Sequence, residues 1–315
     1  MRILFAGTPS LAVPALEKIS RAHQVIGVLT SQDKPAGRGR VPESSPVKRA
    51  ALALGLPLMQ PARLDEAYRD EVKAASPQVL VVAAFGRIFR QEFLDLFPLG
   101  GINVHPSLLP RFRGPSPVNA AILAGDTETG VTIQKIALKF DTGDILAQER
   151  FPLTGSETTA ALTEALAARG ADLLTSVLAA IEQGTPPPPV VQNEADATYC
   201  RTLRKEDGAI AWDEPALLID RKVRAFDPWP RAATTISGEA LLLLKSHVYP
   251  GTLGSEASRA EPGTVLSGNK EHGILVRTGE GILAVERLQK QFKKPTDWRS
   301  FLNGHPGIIG TRLGA

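Results

Sequence analysis

The middle of this 315-residue chain contains an asparagine, a histidine and an aspartate whose side chains could together transfer an acyl group to an amine. Asn103 and His105 end a short apolar run two residues apart, so they lie on the same side of a predicted strand. A histidine, with an unperturbed pKa of about 6.5, can accept an amine proton, and an asparagine amide can donate to a developing oxyanion. Asp141 follows in a polar turn, where its carboxylate could orient the imidazole. Asn103, His105 and Asp141 are therefore candidates for a catalytic set, while a histidine beside a strand end is more often a capping or core residue.

Predicted strands and helices alternate on both sides of these residues. Short apolar runs predict strands at 2–7, 25–29, 79–85, 102–104, 129–136 and 145–151, and helical spacing predicts helices near 46–54, 65–75 and 117–123. Because such alternation requires crossover connections, it predicts an α/β domain with a Rossmann-like, mostly parallel sheet. These sheets bind ligands at the carboxyl ends of their strands, which is where Asn103 and His105 fall.

A domain boundary is predicted after a long helix. This Ala- and Leu-rich helix, at 157–181, is followed by Gly184 and by four prolines at 186–189, which favour an extended spacer. Beyond residue 200, short β runs broken by turn residues indicate a small barrel of the oligonucleotide-binding (OB) type. We therefore predict a catalytic domain at 1–184, a proline-rich linker at 185–200 and an OB-like domain at 201–315.

Composition and motifs exclude several classes of protein. The single cysteine, Cys200, excludes an internal disulfide, and the five histidines lack the spacing of metal ligands, so we expect no metal. The apolar runs fall short of the roughly 20 residues of a membrane span, and the first run is too short for a signal peptide. The sequence has neither a G-x-G-x-x-G fingerprint nor a phosphate-binding loop. We expect a soluble cytoplasmic protein without nicotinamide or ATP chemistry.

Charge is distributed unevenly along the chain. The net charge is +3, yet residues 200–315 hold 17 basic and 13 acidic side chains, whereas the preceding residues hold 19 and 20. A basic second part fits a polyanionic partner, although scattered solvated charges would give the same totals. The charge alone therefore leaves nucleic-acid binding open.

Four motifs, in chain order, resemble those of the formyltransferases that use 10-formyltetrahydrofolate. Residues 35–39 read P-A-G-R-G, residues 103–114 read N-V-H-P-S-L-L-P-R-F-R-G, residues 141–144 read D-T-G-D, and residues 224–230 read R-A-F-D-P-W-P. The resemblance implies a Rossmann-like catalytic domain in which Asn103, His105 and Asp141 carry formyl transfer to an amine.

The resemblance also implies which residues bind the two substrates. The donor, 10-formyltetrahydrofolate, is expected along two segments, with its pterin bonded mainly to backbone groups: Phe85, Gly86, Arg87 and Ile88, and Ser107, Leu108, Leu109 and Pro110. The implied acceptor is initiator methionyl-tRNA, whose phosphates are expected to meet basic residues of a mobile loop and of the second domain: Arg38, Arg40, Arg201, Arg204, Lys205, Lys290, Lys293 and Lys294. Nothing in the sequence demands a dimer, so a monomer is expected.

Related enzymes with the same three catalytic residues use other acceptors. One kind formylates an amino-sugar nucleotide, and formyltetrahydrofolate hydrolase releases the formyl group to water. The P-W-P segment at 228–230, the basic loop and the basic second domain favour tRNA. A non-catalytic RNA-binding protein would give no reason for the three catalytic side chains to coexist. Phe112, Lys139 and Phe140 depart from the family pattern, which leaves the shape of the catalytic turn open.

Overall fold

The computed structural model describes residues 1–36, 41–252 and 259–314 of the chain. By their internal contacts these residues form two compact units. The first unit consists of Met1–Pro117, Thr127–Leu153 and Leu162–Thr202, and the second consists of Val118–Asp126, Thr154–Ala161 and Leu203–Ala315. The segment predicted as a linker, 185–200, therefore packs within the first unit. The domain limits at 184 and 201 stay a prediction.

The strands and helices of the described chain follow in order of sequence. The strands are β1 (Arg2–Gly7), β2 (Gln24–Leu29), β3 (Lys34–Ala36), β4 (Val41–Glu43), β5 (Leu58–Met59), β6 (Val79–Ala83), β7 (Gly101–His105), β8 (Glu128–Lys135), β9 (Ile145–Pro152), β10 (Ala232–Ile236), β11 (Glu239–Val248), β12 (Val265–Asn269), β13 (Gly273–Arg277), β14 (Ile282–Lys290) and β15 (Thr296–Asp297). The helices are α1 (Val13–Ala22), α2 (Pro46–Ala53), α3 (Glu66–Ala74), α4 (Gln91–Leu94), α5 (Pro117–Ala124), α6 (Thr159–Glu182), α7 (Ala216–Ala225) and α8 (Trp298–Asn303).

The first unit is built on a seven-stranded sheet with the order β5-β2-β1-β6-β7-β8-β9. The strands from β5 to β7 pair in parallel, whereas β8 and β9 are antiparallel to their neighbours. This confirms the predicted α/β fold with a mostly parallel sheet. Both predicted folate segments follow adjacent parallel strands, residues 85–88 after β6 and residues 107–110 after β7. They therefore leave the sheet at its carboxyl edge, where such sheets bind ligands.

Four phenylalanines anchor the chain that follows β6. Phe85, Phe89, Phe93 and Phe97 are all buried, and successive ring centroids lie 5.6, 5.2 and 5.5 Å apart. Aromatic pairs at these separations add to the stabilisation that comes from burying their apolar area. The row of rings therefore fixes the segment at 85–88, while Ile88 within it stays exposed.

Helix α6 packs against the strand that carries two of the predicted catalytic residues. A Cβ at Gly170 would lie 2.9 Å from Val104 Cγ1 on β7 and 3.1 Å from Val131 Cγ1 on β8. Side chains alternate along a strand, so Val104 points to the face of β7 opposite Asn103 and His105. α6 supports β7 from that opposite face, and the close approach requires a residue without a side chain.

The second unit is built on an antiparallel sheet with the order β10-β11-β14-β13-β12, and β15 pairs with β14. Ile219 and Val223 of α7 are buried in one core with Leu243, Val276 and Val285 of the sheet. This confirms the prediction of a second domain built from β-strands, and the structure places the helix α7 before them. Among the described residues, no helix is both long enough and apolar enough to cross a membrane.

Candidate active site

The structure brings Asn103, His105 and Asp141 together at the carboxyl end of β7. Asn103 Nδ2 lies 3.4 Å from Asp141 Oδ1, and His105 Nδ1 lies 3.5 Å from the same oxygen. Asp141 lies in the connection between β8 and β9, and β8 pairs directly with β7. Both distances are at the long end for a hydrogen bond, so neither side chain is locked onto the carboxylate.

His105 is buried, with 4% of its surface exposed. Its Nε2 lies 3.0 Å from the carbonyl oxygen of Phe112, which can only accept, so Nε2 carries a proton. Neutral His105 then has its lone pair on Nδ1, the nitrogen that faces Asp141. Burial lowers the pKa of His105 below its usual range, and the Asp141 charge and the Phe112 carbonyl offset part of that effect. The Phe112 carbonyl orients this neutral imidazole at Nε2, and the Asp141 carboxylate, which was predicted to orient the ring, lies near Nδ1.

Asp141 lies in a turn with a left-handed backbone conformation, φ +54°. Its Oδ2 accepts a hydrogen bond from Gly114 N at 2.9 Å, and its Oδ1 accepts one from Gln134 Nε2 at 2.9 Å. Neither donor is among the residues predicted from the sequence. Gln134 pairs with Asn103 in the β7–β8 ladder, so strand register could have revealed it. The backbone amide of Gly114 has no signature in its residue type.

The catalytic loop, residues 106–114, is bound by a second segment that we call the clamp segment, residues 190–200. The amide of Arg113 donates to the Thr198 carbonyl at 2.9 Å, and the amide of Cys200 donates to the Arg113 carbonyl at 2.8 Å. These are the residues that follow the four prolines, where the sequence predicted a spacer. The clamp segment packs within the first unit.

The clamp segment also touches the carbonyl that orients His105. Thr198 Oγ1 accepts a hydrogen bond from the Phe112 amide at 2.8 Å, and Cys200 Sγ lies 3.5 Å from the Phe112 carbonyl oxygen. Burial raises the pKa of the Cys200 thiol, so it stays protonated near neutral pH and can donate to that carbonyl. The orientation of His105 thus depends on residues far along the chain.

Phe112 and Phe140, which depart from the family pattern, have different surroundings in the structure. Phe112 has its ring beside the Arg111 guanidinium, 5.0 Å from ring centroid to Cζ, while its carbonyl serves His105. Phe140, next to Asp141, is 60% exposed. Because the Phe112 carbonyl belongs to the backbone, its contact with His105 does not depend on which aromatic side chain stands there.

The predicted folate segment at 107–110 has most of its backbone groups engaged inside the protein. Thr132 Oγ1 donates a hydrogen bond to the Ser107 carbonyl and accepts one from the Leu109 amide. The Leu109 carbonyl accepts a hydrogen bond from Gln148 Nε2. The carbonyls of Leu108 and Pro110 accept backbone amides of the catalytic loop and clamp segment. Each of these carbonyls already accepts one hydrogen bond inside the protein, and pterin binding to this segment stays a prediction.

The other predicted folate segment, at 85–88, differs in this respect. Across the described chain, its backbone makes no hydrogen bond to another backbone group. Gly86 has a positive φ of +76°, and no atom lies within 4 Å of the position where its Cβ would stand. Arg87 reaches away to the carbonyl of Pro61 at 3.1 Å. This segment presents open backbone donors and acceptors at the carboxyl edge of the sheet.

The basic residues predicted to contact tRNA fall into three groups. Arg38 and Arg40 lie outside the described residues. Arg201, Arg204 and Lys205 are exposed within five consecutive positions of sequence, and Lys293 and Lys294 are exposed in the turn after β14. Lys290, at the end of β14, is partly buried and pairs with Glu239 at 2.5 Å. The described residues contain no group of three His, Cys, Asp or Glu side chains placed to hold a metal ion.

Comparison with known proteins identifies relatives over both units. The formyl transferase family matches residues 1–178, and the formyl transferase C-terminal domain matches residues 202–306. The methionyl-tRNA formyltransferase of Treponema denticola is 46% identical over 321 aligned positions, covering 98% of this chain and 98% of the relative. The protein of the same name from Roseiflexus castenholzii is 47% identical over 307 positions, covering 95% of each chain.

Solved structures share the fold at lower identity. An N-formyltransferase from Helicobacter canadensis, in complex with folinic acid and dTDP-3-aminofucose, is 20% identical with a TM-score of 0.65, covering 91% of this chain and 98% of that one. HypX from Aquifex aeolicus, in complex with tetrahydrofolic acid, is 20% identical with a TM-score of 0.63 over 98% of this chain. This chain spans 48% of the length of HypX, about half.

Proposed function

This chain belongs to the formyl transferase family, with both the N-terminal and the C-terminal domain of that family, and from this membership we propose that it formylates initiator methionyl-tRNA. The donor is 10-formyltetrahydrofolate, and the products are N-formylmethionyl-tRNA and tetrahydrofolate. The single observation that carries the proposal is the convergence of Asn103, His105 and Asp141 at the carboxyl end of β7. Relatives named for this activity that align over nearly the whole chain support the choice of acceptor.

The reaction needs one proton removed and one oxyanion stabilised. A bond forms between the methionyl α-amino nitrogen and the formyl carbon, and the bond from that carbon to N10 of the folate breaks. The proton lost by the amine ends on N10, so atoms and charge balance. His105 Nδ1 is the basic nitrogen available for this transfer, because Nε2 already carries the proton donated to Phe112.

Asn103 and Asp141 each stabilise a charge that develops during the transfer. The Asn103 amide can turn from its long contact with Asp141 to donate to the formyl oxygen as negative charge develops there. Asp141, which faces Nδ1, stabilises the imidazolium that forms when His105 takes the proton. Each residue therefore acts on a different atom of the transition state.

For the donor we propose that the pterin binds mainly at residues 85–88, with the side of the catalytic loop at 107–110 closing one wall. Open backbone groups, the bare surface at Gly86 and the exposed side chain of Ile88 favour the first segment. The second segment offers shape rather than hydrogen bonds, since its carbonyls are already engaged.

For the acceptor we propose phosphate contacts from the exposed basic residues of both units, with Arg38 and Arg40 contributing from the loop. A methionyl-tRNA is a polyanion, and Lys and Arg side chains neutralise phosphates whatever the base sequence. The proposal includes a single chain acting as a monomer in the cytoplasm, where a translation initiator tRNA and a folate donor are used.

A single-turnover assay with a radiolabelled formyl donor tests this function and its rivals together. Methionyl-tRNA, an amino-sugar nucleotide and buffer without acceptor are compared, and we expect rapid transfer to methionyl-tRNA alone. His105→Ala should lower kcat by roughly 10²–10⁴-fold, because positioned acid–base catalysis is worth that much. His272→Ala, a histidine of the second unit, is the matched control. Faster transfer to the sugar nucleotide or to water would overturn the choice of acceptor.

A further inference from the structure

A buried arginine next to the catalytic loop fixes the orientation of a glutamine from the clamp segment. Arg113 is 1% exposed, and its Nε and Nη2 donate to Gln192 Oε1 at 3.0 and 2.9 Å. A guanidinium only donates hydrogen bonds, so the glutamine oxygen has to point toward it. The amide nitrogen of Gln192 consequently has to point the other way.

That amide nitrogen is directed at the turn that carries Asp141. Gln192 Nε2 donates to the carbonyl of Asp141 at 2.9 Å and to the carbonyl of Gly143 at 2.7 Å, so both of its hydrogens are used. Gln192 is 6% exposed, and a buried amide with every hydrogen bond satisfied has one well-defined position. The glutamine therefore bridges a buried cation and the two carbonyls that flank the catalytic turn.

The backbone of the turn at residues 141–143 has little room to adopt another conformation. Asp141 has a left-handed backbone, and a Cβ at Gly143 would lie 1.8 Å from the carbonyl oxygen of Lys135. A non-glycine residue in this conformation persists only where its surroundings hold it, so the two carbonyl hydrogen bonds oppose a return to ordinary backbone angles. Loss of those bonds would let the carboxylate of Asp141 move relative to His105.

We propose that Gln192, held by Arg113, is a positioning residue for formyl transfer that acts through Asp141. The inference rests on the proposed function, since it assigns Gln192 a part in the same reaction. The hydrogen bonds of Gln192 reach the backbone of the turn, and the effect that we assign to it is the placement of the Asp141 carboxylate. The alternative is a glutamine that only stabilises the fold.

The ion pair between Arg113 and Glu194 is expected to contribute less to the position of the turn than the buried hydrogen bonds of Gln192 do. Glu194 accepts from Arg113 Nη1 and Nη2 at 2.9 and 2.8 Å, but its side chain is 71% exposed. Water screens an exposed carboxylate, so this pair contributes little to the position of the guanidinium. The geometry of the turn is carried by the buried partners.

The direct test replaces the two donors of Gln192 with an acceptor of the same shape. In Gln192→Glu a carboxylate oxygen faces the carbonyls of Asp141 and Gly143, and the repulsion displaces the turn. We expect kcat to fall by about 10²-fold, the size of effect that a misplacement of about 1 Å produces, with KM for the folate donor nearly unchanged. Val191→Glu adds the same charge at the neighbouring, exposed position and should leave kcat as in the unaltered protein.

A double-mutant cycle separates positioning from a purely structural role. If Gln192 acts through Asp141, Gln192→Glu should lower kcat by less than about twofold in an Asp141→Ala background. A glutamine that only stabilised the fold would cause the same loss in both backgrounds, and that outcome would overturn the proposal. Methionyl-tRNA formylation by the unaltered protein is measured alongside, so failure of the proposed function itself would be seen separately.

A second variant covers the case in which a buried carboxylate prevents folding. Gln192→Met removes both donors without adding charge, and its melting temperature is measured beside its kinetics. We expect a folded enzyme with reduced kcat and an ordinary KM for the donor. A folded Gln192→Met variant with the kcat of the unaltered protein would overturn the proposal.

Discussion

The imidazole of His105 has an acceptor near each of its ring nitrogens, the Phe112 carbonyl at Nε2 and the Asp141 carboxylate near Nδ1. Two acceptors favour the doubly protonated ring, while burial favours the neutral one, and burial is the larger influence because the pKa of His105 is lowered overall. A small displacement of Asp141 therefore changes the basicity of the histidine directly.

The pH dependence of the reaction should reveal this balance. Since protonated His105 cannot act as a base, kcat/KM falls as the pH drops through its pKa, and we expect the midpoint of that acidic limb below about 6.5. Asp141→Asn removes the charge that raises the pKa, so the midpoint should move to still lower pH while kcat falls by about 10²-fold or more. Asp144→Asn makes the same change nearby as a control. A midpoint that moves upward in Asp141→Asn would contradict the assignment.

Residue types alone predicted Asn103 and His105 on one side of a strand, because side-chain alternation is a property of any strand. The same reasoning could not find the carbonyl of Phe112 or the amide of Gly114. Backbone groups are identical at every position, so only the folded chain shows which of them meets a side chain.

Among the secondary-structure elements, helix α6 contacts strand β7 at a glycine, Gly170. The approach at Gly170 brings the helix backbone against Val104 and Val131, directly behind the strand positions of Asn103 and His105. A packed interior resists added volume, so the helix position sets the strand position.

Gly170→Val should push the helix and strand apart. Overpacking of this kind costs about 1–3 kcal/mol, while valine regains only a few tenths of a kcal/mol in helix propensity over glycine. We expect a lower free energy of unfolding in urea and a reduced kcat. Ala168→Val, at an exposed position of the same helix, is the control and should change both values little. Equal stability of Gly170→Val and the unaltered protein would show that the contact is loose.

Sequence patterns predicted α6 and six of the seven strands of the first sheet, because periodic and apolar segments leave little choice of structure, but they missed the two-residue strand β5. They do not show where the residues after the proline run pack. Four prolines favour an extended chain, and residues 190–200 form isolated bridges with distant segments, Val190 with Ile145 of β9 and Tyr199 with Arg113 of the catalytic loop. Such pairings join distant parts of the sequence and leave no local periodicity.

For the whole molecule, the net charge of +3 is a small difference between 36 basic and 33 acidic residues. Binding of a polyanion therefore depends on where charges are free rather than on their sum. In the turn after β14, Lys293 and Lys294 are exposed, whereas Lys290 is already paired with Glu239. We expect the two exposed lysines to contribute more to tRNA binding than Lys290.

Salt dependence provides the measurement. Each phosphate neutralised contributes about −0.7 to −0.9 to the slope of log K against log salt, so Lys294→Glu should reduce that slope by about 1. Lys73→Glu, an exposed lysine of α3, makes the same charge change and should leave the slope nearly as it was. Affinity for methionyl-tRNA that barely changes between low and moderate salt would rule out a phosphate-contact role for these lysines.

The clamp segment also determines where this chain could be recombined with a relative. The proline run at 186–189 suggests itself as a neutral junction for a hybrid that takes its second domain from another parent. A junction there would bring foreign residues against the catalytic loop, because Gln192, Thr198 and Cys200 would be exchanged together with residues 203–315. A junction after Thr202 keeps residues 190–200 and the catalytic loop from one parent, but it leaves Val118–Asp126 and Thr154–Ala161 of that parent in one unit with residues 203–315 of the other.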